Sequence, residues 1–171
     1  MSITHERNNS SIITEVLENS LGRINVENLA EFITKDKIAT IEYSTDVDTY
    51  NPKINLSKDG GYSIIINKNI ANQYSYNWTL IRALTTIIYD LILNTQNIPQ
   101  NGIQYTGSHD NIISNVARSL AIPYDKLQNE LCKRFNVNSC TYTLDGLDDI
   151  FKVPLDIVVW QCRYYGFLSN K

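Results

Sequence analysis

Arg82, Thr86 and Asp90 stand four residues apart in the apolar run RALTTIIYD. On a helix this spacing stacks a guanidinium, a hydroxyl and a carboxylate in one column. Such a column could line a functional cleft. It could equally be a buried stripe whose members satisfy one another, with an Arg–carboxylate pair spanning two turns. The self-satisfied stripe is the expected arrangement, because polar groups withdrawn from water need partners. His109-Asp110 places an imidazole beside an acid, the pairing that general acid–base or metal chemistry would use. A simpler role competes with that one, since Ser108 or Asp110 precedes an apolar run and is expected to cap a helix. His5 lies in the N-terminal tail and receives no role.

Soft metal ligands are scarce. The chain has 171 residues, of which two are His and three are Cys, whereas zinc needs three or four donors converging on one point. Cys132, Cys140 and Cys162 form no CxxC and are expected as reduced thiols of a cytoplasmic protein. No metal and no cofactor is expected. A net charge of -3 argues against a polyanion-binding surface over the whole chain. The longest apolar stretch, LIRALTTIIYDLIL, contains Arg82 and Asp90 and is too short and too polar to span a bilayer. MSITHERNNSS has no signal-peptide core.

A different surface is suggested by Tyr74, Tyr76 and Trp78, which alternate with Asn72, Gln73, Ser75 and Asn77. If exposed, they form a candidate protein-binding patch in which Tyr and Trp act as anchors. Tyr43, Tyr50, Tyr62 and Tyr105 would extend it. The alternative is a loop whose aromatics cover a sheet edge.

The elements that must position these residues read as α+β. Ile12, Ile13, Val16, Leu17 and Leu21 recur at helical spacing, and Leu29, Phe32 and Ile33 follow in a second short helix after Asn25. IATIEYS and YSIIIN read as strands around a turn-rich stretch, and Asp59-Gly60-Gly61 before Tyr62 predicts a hairpin. One small antiparallel sheet is inferred. NWTLIRALTTIIYDLILN is the most strongly periodic segment, a helix with a broad apolar face. Beyond a loop with Pro99, Asn101-Gly102 and Gly107 come SHDNIISNVARSLAI, stopped by Pro123, a helix over 124–135, a polar link, LDDIFK, a break at Val153-Pro154, and DIVVWQCRYYGFL. The expected organisation is a tail at 1–10, a core at 11–123, and a C-terminal helical extension at 124–171 packed on it. LDDIFK-VPL-DIVVWQCRYYG also has a helix-turn-helix look, with a second helix that offers DNA only Arg163 and is expected to bury Val158, Val159 and Trp160.

Three stretches, in order, resemble the ImmA/IrrE family of zinc metallopeptidases: SIIIN followed by RALTTIIYDLILN, then NVARSLAIP, then LDDIFKVPLDIVVWQCRYYGFL. Ala117, Leu120, Ile122 and Pro123 match in the second, and Phe151, Val153 and Gly166 in the third. The resemblance implies a zincin-like fold, with a small sheet packed on a core helix and a C-terminal helical region. It also implies an HExxH motif on that core helix, where this sequence departs from the family. Thr86 stands at the first zinc His, Ile87 at the general-base Glu, Asp90 at the second His, and Tyr89 at the helix-packing Gly. The third ligand falls on or near Ile112, with Asp110 the nearest carboxylate.

In the motif, two imidazoles at i and i+4 hold zinc, whose water gives up a proton to the Glu. Threonine is a poor zinc ligand and isoleucine moves no proton. The implied pseudo-active-site cleft comprises Arg82, Thr86, Ile87, Tyr89, Asp90, His109 and Asp110, with no catalytic residue. The resemblance then implies a peptidase-like protein that has lost its metal and acts by binding a protein. Its partner would be a helix-turn-helix repressor or another host regulator in a phage or mobile-element circuit. A working hydrolase using Asp90, Asp110 and His109 with Mg²⁺ or Mn²⁺, and a DNA-binding regulator using the C-terminal helices, are the competing expectations.

Overall fold

Ile64 and Ile66 are fully buried while Ser63 and Ile65 between and before them are half-buried, the period-two signature of a strand with one well-covered face. This strand, β3 (Tyr62–Asn67), is the centre of a three-stranded sheet. The computed structural model describes residues 28–35, 37–49, 51–56, 61–93 and 107–169. The expected tail with His5, the expected helix before Asn25, Tyr50, Asp59-Gly60, Pro99, Asn101-Gly102 and Tyr105 lie outside the described residues.

The sheet corrects one expectation. It is mixed, in the order β1-β3-β2, not purely antiparallel. Strand β1 (Ala39–Ser44) runs parallel to β3, pairing Ala39 with Tyr62 and Ser44 with Asn67. Strand β2 (Lys53–Leu56) runs antiparallel to β3, with Leu56 opposite Tyr62. The segment between β1 and β2 passes the C-terminal end of β3, so the most apolar strand is flanked on both sides. Asn67 holds this crossing: its buried amide donates to the Val47 carbonyl at 2.5 Å and accepts from the Asn69 backbone N–H at 2.8 Å. KINL, within the stretch read as turn-rich, is β2. Its four residues are too few for a convincing alternation, and only Ile54 is fully buried.

Helix α1 (Leu29–Lys35) buries Leu29 and Ile33 and packs against β1 and against helix α2 (Gln73–Leu93). Helix α2 also contacts β2 and β3 and is covered around most of its circumference: Leu80, Ile81, Ala83, Leu84 and Ile87 are all fully buried. Thr79 and Thr85 tolerate burial there because each hydroxyl donates to the carbonyl four residues earlier, at 2.9 and 2.8 Å. The helix begins four residues before Asn77. Asn72 caps it, its side-chain oxygen accepting the Ser75 N–H at 2.9 Å.

Helix α3 (Ser108–Ala121) lies against α2. Then follow α4 (Tyr124–Lys133), a hairpin of β4 (Phe135–Asn136) and β5 (Thr141–Tyr142) within the expected polar link, α5 (Leu147–Phe151) and α6 (Leu155–Tyr164). Gly166 at φ 82° ends α6 in a Schellman turn: the Phe167 N–H reaches the Cys162 carbonyl at 2.8 Å and the Gly166 N–H reaches Arg163 at 3.0 Å. The segments after residue 123 bury their apolar side chains in the core of the sheet and α2. Leu127, Leu131, Leu147, Phe151, Val153, Val158 and Cys162 belong to the same buried cluster as the sheet and α2. No helix among the described residues is long and apolar enough to cross a membrane.

Candidate functional site

The polar column of α2 faces both the sheet and α3, and every member is tied down. Arg82 donates to Asp110 on α3 at 2.9 Å and to Asn51 at 2.7 Å. The Thr86 hydroxyl donates to the Arg82 carbonyl within its own helix at 2.8 Å. Asp90, 6% exposed, accepts the Tyr62 hydroxyl of the central strand at 3.0 Å. The pair expected within the column, Arg82 with Asp90, does not form: residues eight apart stand about 12 Å apart along a helix. Each takes a partner from a neighbouring element instead.

Ile87 lies in the core, and Tyr89, 4% exposed, fills the seam between α2 and α3 among Ile112, Ile113, Val116 and Leu120. Burial raises the Tyr89 phenol above its ordinary pKa. Its oxygen nonetheless has a polar neighbour, the Nδ1 of exposed His109, at 2.6 Å. The expected N-cap is corrected here. The helix cap is Gly107, with no side-chain cap bond, so His109 and Asp110 fall inside the first turn. There Asp110 complements the positive end of the helix dipole while it pairs with Arg82.

These side chains do not fit a zinc site. Thr86 spends its hydroxyl on its own helix, Ile87 has no donor, and Asp90 is engaged by Tyr62. Among the described residues, no group of three or more His, Cys, Asp or Glu could hold a metal ion. Asp90, Asp110 and His109 do not converge on a shared site; each faces a different partner.

No protein-family model and no curated protein matches this chain.

The aromatic segment is not one exposed patch. Trp78 is 6% exposed and part of the core, while Tyr74 and Tyr76 are half-buried in the first turn of α2. On a helix, residues two apart point about 200° from one another, so strict alternation cannot put all three on one face. Tyr74 hydrogen-bonds Asp149 of α5, which holds the phenol proton and raises its pKa. Asn77 donates to the Lys152 carbonyl at 2.9 Å. Tyr76 stacks on Tyr43 with the two hydroxyls 2.9 Å apart. These contacts join the start of α2 to β1 and to the C-terminal helices.

A second correction concerns α6. Val158 is buried and Val159 half-buried, but Trp160 is 40% exposed. Residues 158, 161 and 162 share the inward face, and 160 points away from it. The inward place is taken by Gln161, fully buried with neither amide atom hydrogen-bonded among the described residues. Sequence reading also missed Asn51 and the Tyr62–Asp90 bond. Their partners lie 31 and 28 residues away in the chain, and no local spacing encodes such contacts.

Proposed function

We propose that this chain is a zincin-like protein of the ImmA/IrrE type that has no zinc and no peptidase activity, and works by binding a protein partner. The partner class is a helix-turn-helix repressor or other host regulator, engaged in the cytoplasm within the circuit of a phage or mobile element. One observation carries the reading: where the family places His, Glu and His, this chain has Thr86, Ile87 and Asp90, and each is committed to its own fold. Threonine bound to its helix, isoleucine in the core and an aspartate held by Tyr62 leave neither a ligand set nor a base for zinc-bound water. A buried tyrosine stands where the family's helix packs through glycine, and it occupies the seam with apolar side chains.

Metal analysis of protein purified from zinc-supplemented cells tests this directly. Less than a tenth of an equivalent of zinc per chain is expected. About one tightly held zinc per chain overturns the reading. A peptidase assay against a helix-turn-helix repressor is expected to show no cleavage above a protein-free control.

A further inference from the structure

One face of α6 forms a wall of a groove of about 570 Å³, completed by Arg118 of α3. Its floor is mostly apolar, with Leu155, Val159 and Trp160, and its two ends differ in charge. Asp156 stands in the first turn of α6 and Arg163 in the last, about 10 Å apart along the axis.

Arg118 is the unusual member. Its guanidinium lies 3.4 Å from the centroid of the Trp160 ring, and Tyr164 stacks on the same tryptophan at 5.4 Å. Its one hydrogen bond is to neutral Asn115, at 2.5 Å, and its Nε is buried with no hydrogen-bond partner among the described residues. No carboxylate among the described residues pairs with it. Burial and the nearby Arg82 charge lower its pKa to about 10, and Asp110, whose charge opposes that shift, is bonded to Arg82. A half-buried cation whose direct contacts are a π face and a neutral amide, with no carboxylate bonded to it among the described residues, can gain from an added negative charge.

We propose that this groove is a docking site for an acidic amphipathic helix of a protein partner. The helix sets a carboxylate against Arg118 and Arg163 and an apolar stripe against Leu155, Val159 and Trp160. The inference rests on the protein-binding function proposed above and locates it. Charge complementarity selects the occupant. The Arg end attracts an acid, Asp156 repels one at the other end and so sets direction, and the apolar floor matches residues at i, i+3 and i+4 of a helix. Trp160 already packs against both Arg118 and Tyr164 before any partner arrives, so little side-chain entropy is lost on docking. A duplex would instead need several phosphate contacts, and Asp156 opposes them.

The test is a selection of randomised 16-residue helical peptides displayed against the full chain, followed by fluorescence anisotropy with the enriched peptides. Enriched sequences are expected to carry an acidic residue beside an i, i+3, i+4 apolar stripe. Their binding is expected to weaken roughly tenfold or more in Trp160→Ala and in Arg163→Glu. Circular dichroism and melting of each variant establish that it folds, and Arg163→Glu changes an exposed side chain. The proposal is overturned by no enrichment, by neutral or basic enriched sequences, or by binding that survives both substitutions. It is also overturned by a concentration-dependent dimer that Trp160→Ala abolishes, or by salt-sensitive duplex binding that Arg163→Glu abolishes. Zinc content of the same preparation is read separately. One zinc per chain with peptide selection intact overturns the zinc-free function and leaves the groove standing.

Discussion

Helix α3 has two sides that treat charge in opposite ways. Toward α2 it offers Asp110 to Arg82 and His109 to Tyr89, and the neighbouring Asp90 is held by Tyr62. Toward α6 it offers Arg118, which is half-buried against Trp160 and has no carboxylate partner among the described residues. The seam is closed chemistry, with donors and acceptors matched across three elements. The groove is open chemistry, with an exposed tryptophan and a cation to which no carboxylate is bonded among the described residues. Proteins retain an arrangement of the first kind for stability, and one of the second kind carries a cost that a partner can relieve. The difference teaches where to look: the side chains with the most familiar chemistry, at Asp90, His109 and Asp110, are the committed ones.

The comparison is broken most forcefully at Tyr89. If it fills a closed seam, Tyr89→Gly removes a buried aromatic from the interface with α3. A loss of roughly 3–5 kcal/mol is expected in urea unfolding, from the cavity and from glycine inside a helix. A nearly unchanged midpoint would mean that the seam is already open.

Next in size is Asp90→Ala, which removes the carboxylate that accepts the Tyr62 hydroxyl. It is expected to cost about 1–3 kcal/mol. A double-mutant cycle with Tyr62→Phe sharpens the point, since coupling above about 1 kcal/mol identifies the pair as one structural unit. Zero coupling would assign Asp90 elsewhere.

The smallest effect belongs to Asp110→Asn. Its side chain is 45% exposed, against 19% for Arg82, so water and salt screen the pair. A loss of about 0.5–1 kcal/mol is expected, shrinking as sodium chloride rises. A larger, salt-independent loss would mean that the pair is far more desolvated than its exposure indicates.

Much of the fold was legible. Leu80, Leu84, Ile87, Ile88 and Leu91 predict the core helix from their spacing alone, although Leu91 near its end is exposed, and the apolar run of β3 identifies a strand. Pro123 and Pro154 mark helix boundaries because proline lacks the N–H that a helix interior needs. Less of the site was legible. Arg82, Thr86 and Asp90 do share a column, but their partners, Asp110, Asn51 and Tyr62, come from segments distant in sequence. The exposure of Trp160 escaped because a tryptophan in an apolar run reads as core, and only the placement of Gln161 on the inward face reveals the rotation of α6. The mixed sheet escaped because strand patterns report which face is covered and are silent about direction.

The sequence by itself determined the α+β order, the existence and burial of the core helix, and the absence of His or Glu at Thr86, Ile87 and Asp90. These are local facts: periodicity, turn chemistry and residue identity act within a few residues. Only the tertiary structure decided that β3 sits between β1 and β2, that Asp90 answers Tyr62 while Asp110 answers Arg82, and that Arg118 is left facing a groove with Trp160. Those outcomes depend on which segments meet after folding. Pairing over tens of residues is set by the fit of whole faces, and no single spacing along the chain encodes it.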